Sequence, residues 1–284
     1  NEITGAPKDF EAGKSTKVFE LPAEHITGDA NEVVCTTVPT RRLSDTPDKN
    51  PDGWCECFID QATKKRIFSQ PGFPHPIPRP RLKMYSIEPA PGMGLGMFAT
   101  CDIRLGELII AERPLLLVPA AARMHVNKYP PHYTKEQMLQ AAMAEQNHLY
   151  ELTVSRMIPE RRAAFMALHN SHQHDGSGTA LGIVRTNGFG ISDRPDALRF
   201  QNDRSPGGQF SIVCDKMSRV NHSCCPNTTH TFDLPSFSMH LYATRDIKKG
   251  EQIWTMYTEL LAPAAERAET LVRYGVSPCV CAAC

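Results

Sequence analysis

Arg219-Val220-Asn221-His222-Ser223-Cys224-Cys225-Pro226-Asn227 places two amides, an imidazole, a hydroxyl and two thiols in its last seven residues, with a proline among them. So dense a polar run between strands needs either solvent or a full set of buried hydrogen-bond partners. A satisfied turn is the plainer reading, and a lone Asn-His would deserve it; the spacing of the whole run is harder to obtain by chance. The flanking chain reads as short strands at residues 209–214, 238–244 and 252–257. Downstream, Ala243-Thr244-Arg245-Asp246-Ile247-Lys248-Lys249-Gly250-Glu251-Gln252-Ile253 is a charged hairpin turn feeding an apolar strand that ends at Met256-Tyr257. Alone that is a common surface hairpin, and a strand tyrosine usually packs with a wet hydroxyl. Far upstream, Pro91-Gly92-Met93-Gly94-Leu95-Gly96-Met97-Phe98-Ala99 holds two glycines where the backbone could approach a cofactor that any Cβ would obstruct. The G-x-G pattern also recurs in ordinary turns.

The remaining chain sets the limits. Its 284 residues suit one large domain or two modest ones. A 41% hydrophobic content is enough for a core. The longest apolar candidate, residues 115–122, falls far short of the roughly 20 residues that cross a bilayer. Thirty-one basic residues balance thirty-one acidic ones, so no global field draws the chain to DNA or anionic lipid. Starting at Asn1 and stopping within a cysteine cluster, it reads as a trimmed or processed piece. Residues 1–80 are rich in Pro, Gly, Asp and Thr, with a β-prone run at 33–38. Residues 54–60 and 66–69 predict a hairpin around 61–65, with Cys55 and Cys57 on one strand face. Five prolines in 71–80 predict an extended strap. Short strands follow at 84–87, 96–99, 107–111 and 115–118. Helices are expected at 135–157, from Pro159 to 169 and at 263–274, with a short helical or turn segment from Thr179. The pattern is one β-rich unit split by a helical insertion.

Ten cysteines need explaining, and Cys279, Cys281 and Cys284 crowd the last six residues. A disulfide framework in an oxidising compartment competes with thiolates around a metal in a reducing one. C-x-C-x-x-C packs three sulfurs too tightly for three unstrained bridges to distant partners. The same run can aim three thiolates at one zinc ion from a single turn. Asn221-His222-Ser223 and Asn227-Thr228-Thr229 match the glycosylation acceptor pattern, and modification there would block the polar run. The zinc reading, in nucleus or cytoplasm, is preferred. Free buried thiols are expected for Cys35, Cys55, Cys57, Cys101 and Cys214.

Together the three segments resemble the SET domain of protein lysine methyltransferases. The glycine segment resembles its G-x-G-x-F-A motif. Residues 221–227 match N-H-S-C-x-P-N at every fixed position, and Gly250 to Tyr257 resembles G-E-E-x-x-x-x-Y with Gln252 for the second glutamate. The resemblance spans roughly residues 83–284. It is closer still to the SET-and-MYND subfamily, through Tyr257-Thr258-Glu259-Leu260-Leu261-Ala262-Pro263 with Arg267 and Leu271, and through Arg185-Thr186-Asn187-Gly188-Phe189-Gly190-Ile191. No cysteine lies between Cys101 and Cys214, so the MYND finger is lacking, as in fungal proteins of this class.

The resemblance implies an α+β fold: a β-rich SET body of short strands with pseudoknot-like C-terminal threading, a helical insertion and a zinc-binding post-SET knuckle. It divides the chain into an N-terminal extension (1–82), the SET domain (83–262, with its insertion at about 120–208) and the post-SET segment (263–284). S-adenosylmethionine, leaving as S-adenosylhomocysteine, is expected against Gly94, Leu95, Gly96 and Met97, with Asn187, Asn221, His222 and Tyr257. Tyr257 is the implied catalytic residue. One structural zinc is assigned to Cys224, Cys279, Cys281 and Cys284, with Cys225 the lesser candidate. The family's aromatics four and six residues after the leucine of R-x-x-x-L are here Gly275 and Ser277. Tyr274 and Val276, one residue early, are the channel candidates. The implied activity is methyl transfer to a lysine of a protein or peptide, by a monomer needing neither nucleic acid nor membrane. A weak or inactive SET-fold scaffold is the alternative that the displaced aromatic leaves open.

Overall fold

In the computed structural model, residues 5–14, 19–20, 32–42, 44–120, 129–191 and 210–284 are described. Strands β1 (Phe19–Glu20), β2 (Val33–Val38) and β3 (Cys55–Asp60) lead into helix α1 (Gln61–Phe68). Strands β4 (Tyr85–Ala90), β5 (Gly94–Ala99), β6 (Leu108–Glu112) and β7 (Leu116–Pro119) precede helices α2 (Lys135–Ser155), α3 (Pro159–Met166) and α4 (Thr179–Asn187). Then come β8 (Phe189–Gly190), β9 (Phe210–Val213), β10 (Asn221–His222), β11 (Thr228–Asp233), β12 (Ser238–Ala243), β13 (Gln252–Thr255) and α5 (Ala264–Val272). The chain divides into two units: Asn1–Pro74 with Pro114–Val213, and His75–Arg113 with Cys214–Cys284.

The first unit is built on a sheet of order β1-β2-β3-β7-β9-β8. Strand β2 is buried beyond Val33, which suits its β-branched sequence, and β3 is buried along its whole length although it carries Glu56 and Asp60. Helix α2 starts on a capping box: the Thr134 hydroxyl accepts from the Gln137 N–H while Gln137 Oε1 accepts from the Thr134 N–H. It packs Tyr150 and Val154 into a core with Leu116, Phe165, Leu181 and Val213.

Residues 66–69 do not form the second arm of a hairpin. The Asp60 carboxylate accepts the Thr63 N–H at 2.6 Å, capping α1. The Ala, Lys and Arg that follow are strong helix formers, and the antiparallel partner of β3 is β2 instead.

The second unit holds two small sheets, β10-β13-β5-β4 and β11-β12-β6. Met97, Ile109, Phe237, Met239, Ile247 and Ile253 are buried between and around them. Strand β11, unanticipated because His and Asp interrupt its apolar residues, is held along its whole length by β12. Among the described residues no helix is long and apolar enough to cross a membrane.

Candidate functional site

In the second unit, β5 is paired with β4 from Tyr85↔Ala99 to Ala90↔Gly94. Its other edge meets β13 only at Met97↔Ile253 and Phe98↔Gln252. Beyond that point β13 leaves β5 and pairs with β10, Trp254 opposite Asn221 and Thr255 opposite His222. Gly94 to Gly96 therefore have no strand ladder on that side, where a side-chain amide meets the Leu95 carbonyl instead. Gly94 has φ +70° and an added Cβ would meet nothing within 4 Å. Gly96 differs: a Cβ there would lie 2.6 Å from Gln252 Nε2 and 3.0 Å from Asn221 Nδ2. Its missing side chain makes room for two amides, while Gly94 faces open space. Leu95 is partly exposed and Met97 is buried.

The polar run 221–227 is almost wholly accounted for by hydrogen bonds. Asn221 Nδ2 donates to Leu95 O at 3.1 Å, fixing the free edge of β5. His222 Nδ1 accepts the Tyr257 N–H at 3.0 Å, and its Nε2 lies 3.3 Å from Cys224 Sγ. Burial, aided by the Arg267 charge, holds His222 down to about 4, so the imidazole is neutral near pH 7. Ser223 N donates to Thr255 O, and its hydroxyl accepts from Cys225 N. Asn227 is fully buried: Nδ2 donates to Gln252 O at 2.9 Å and Oδ1 accepts the Trp254 N–H at 2.7 Å. It splints the start of β13, and its amide is closed to glycosylation in the folded chain.

Tyr257 is held at both ends by this run. Its hydroxyl donates to Val220 O at 2.9 Å, and its ring lies 5.4 Å from that of His222. Tyr274 packs on it with ring centroids 5.0 Å apart, tilted 49°. Burial pushes both phenols upward. The geometry of Tyr274 follows from how α5 ends. Gly275 N donates to Val272 O and Val276 N to Leu271 O, with Gly275 at φ +74°, the glycine-terminated cap that closes many helices. The left-handed position requires glycine at 275, and the aromatic stands one residue before it. Val276 is half-buried. Asn187 belongs to the other unit, where its Nδ2 donates to His169 O and Ile183 O, both at 2.7 Å.

The Sγ atoms of Cys224, Cys279, Cys281 and Cys284 lie within 4.8 Å of one another. Cys224 and Cys284 approach to 3.5 Å, and Cys224 N donates to Cys281 Sγ at 3.4 Å. Four thiolates around a tetrahedral zinc, each about 2.3 Å from it, would stand about 3.8 Å apart, so the donors fit such an ion. Cys225 is exposed and outside the cluster, and none of the ten cysteines is in a disulfide. Burial, then the Cys284 thiol, pushes Cys224 up to about 12. Burial opposes ionisation of Cys281 too, yet N–H groups of Cys224 and Ala283 and the thiols of Cys279 and Cys284 bring it down to about 6. Arg267 adds a positive charge, hydrogen-bonded to the thiols of Cys224 and Cys284, with Nη1 donating to Ala262 O at 2.5 Å. Its place beside the sulfurs and the Val220 carbonyl on Tyr257 were not foreseeable. The first depends on where a helix docks, and the second is a backbone group that any residue carries.

Residues 94–258 match the SET domain family model. Histone-lysine N-methyltransferase set5 of Schizosaccharomyces pombe is 29% identical over 202 residues, 71% of this chain and 50% of that protein. N-lysine methyltransferase SMYD2 of Homo sapiens is 28% identical over 163 residues, 55% of this chain and 35% of that protein. N-lysine methyltransferase SMYD2-B of Danio rerio is 37% identical over 111 residues, 39% of this chain and 23% of that protein. The chain thus spans half the length or less of these relatives.

Proposed function

The chain belongs to the SET domain family, and from that premise we propose that it transfers a methyl group from S-adenosylmethionine to a lysine side chain of a protein substrate. The observation that carries the reading is the convergence on residues 220–224 of the open edge of β5, the Tyr257 hydroxyl and a four-thiol cluster. When bound, S-adenosylmethionine supplies an electrophilic methyl on a sulfonium. The residues suited to hold it are the backbone of Gly94 to Met97 and the Asn221 and His222 segment. The open face of Gly94 supports close backbone approach.

The attacking amine must be neutral, yet free lysine has a pKa of about 10.4. An aromatic wall of Tyr257 and Tyr274 would displace water from the amine, disfavouring the ammonium form and lowering that value. Because the Tyr257 proton is committed to Val220 O, its oxygen lone pair is left to accept an N–H from the incoming amine. That orients the nitrogen lone pair for in-line attack. The Tyr257–Tyr274 contact supports the enzyme over the scaffold reading, since the displaced aromatic still walls the tyrosine.

Zinc at Cys224, Cys279, Cys281 and Cys284 would be structural, with four protein ligands and no open position, tying the tail to the polar run. We assign residues 83–262 to the SET body and 263–284 to the post-SET segment. Reduced thiols suit the nucleus or cytoplasm. The test is incubation with methyl-labelled S-adenosylmethionine and cell extract, followed by identification of the labelled residue. Label on a lysine ε-amine is expected. Label on no protein, or on another residue type, would overturn the assignment.

A further inference from the structure

We infer that His222 carries the state of the cysteine cluster to Tyr257, so that metal bound by the four thiolates sets the anchoring of the tyrosine backbone. This rests on the zinc and methyl-transfer reading above. The Tyr257 N–H needs a lone pair on His222 Nδ1, so the single proton of the neutral ring resides on Nε2. That nitrogen faces Cys224 Sγ at 3.3 Å and donates to it. A coordinated cysteine is deprotonated, and an N–H bond to thiolate is charge-assisted; a protonated thiol is a weak acceptor. Metal loading therefore strengthens one end of the imidazole bridge, fixing tautomer and ring plane as partners of a metal site commonly do. The other end is the only hydrogen bond on the Tyr257 amide among those described. Loss of metal loosens the ring, and the amide loses its acceptor. His222 is thus a positioning residue, acting on Tyr257 without needing to touch the reacting atoms.

The test uses the whole chain loaded with cobalt in place of zinc. Thiolate-to-cobalt charge-transfer absorption reports the cluster, and amide hydrogen exchange by NMR reports Tyr257. In the unmodified protein, chelation should speed Tyr257 exchange by about tenfold or more. The Trp254 amide, which is bonded to Asn227 Oδ1 and lies off this path, should change far less. His222→Gln keeps a donor near Nε2 but no acceptor near Nδ1. It should hold cobalt, with a Tyr257 amide that exchanges fast in both states. His222→Asn keeps the acceptor and loses the donor, so Tyr257 should be protected but indifferent to chelation. If the unmodified protein gives the four-thiolate spectrum and its Tyr257 amide ignores chelation, the bridge is disproved while the zinc reading survives. If no cobalt spectrum forms, the zinc reading falls and takes the bridge with it.

Discussion

At Gly96 an added methyl would collide with two side-chain amides, whereas at Gly94 it would enter open space at a strained φ. The two substitutions should therefore fail differently. Gly96→Ala should cost about 1–3 kcal/mol of stability in denaturant titrations, as overpacked sites do, because Asn221 and Gln252 must move. Gly94→Ala should cost about 1–2 kcal/mol from the left-handed backbone alone. Its larger effect should be on S-adenosylmethionine binding by calorimetry, since its Cβ intrudes on the proposed cofactor face. Equal binding losses for both would argue against that face. For Tyr257→Phe, turnover should fall about 100-fold or more, as misorientation does, while cofactor affinity stays within a few-fold. Parallel loss of both would remove the hydroxyl from the reacting centre. Asn221, His222 and Tyr257 were legible in the sequence because the run that holds them is contiguous or bound to one strand end. The separate roles of Gly94 and Gly96 were not, because they depend on what lies across the strand.

Helix α5 and strand β13 show how elements deliver these residues. Strand β13 begins against β5 and finishes against β10, and Asn227 holds the crossover by bonding Gln252 O and Trp254 N. Helix α5 ends in a glycine cap that leaves Tyr274 against Tyr257. Gly275→Ala should cost about 1 kcal/mol in thermal unfolding and raise KM for a lysine peptide more than it changes the cofactor Kd; an unchanged KM would separate the cap from the channel. From sequence the early tyrosine looked like a break in pattern, because the helix end could not be placed to the residue. The helices at 135–155 and 159–166 were legible from composition and proline position, though they end earlier than expected, and the segment from Thr179, read as helix or turn, is a helix to Asn187. Helix α1 was missed because its start signal, Asp60, also terminates a convincing strand.

Over the whole chain, the two units concentrate buried charge and metal donors differently. The first buries Glu56 against Arg156 at 3.3 Å and the Thr37 hydroxyl. The second holds the thiol cluster together with exposed pairs such as Lys248–Asp102. Glu56→Ala should destabilise the protein by about 1–3 kcal/mol, since it removes a buried carboxylate that accepts from Arg156 and from the Thr37 hydroxyl. Lys248→Ala should cost less than about 1 kcal/mol. Equilibrium denaturation of both variants checks the contrast. Cys281→Ser should release zinc, and metal analysis showing full retention would contradict the four-ligand set. What the sequence determined by itself was local: a polar run too dense to be idle, three thiols in one turn, a tyrosine at a strand end, and helices set by composition. Tertiary structure alone decided that Gly96 is there for its neighbours, that Arg267 stands beside the thiols, and that Val220 O accepts from the Tyr257 hydroxyl. Those outcomes are distances between segments up to 156 residues apart, as between Gly96 and Gln252, and chain closure over such spans is fixed by the packing of the whole unit and not by local preference.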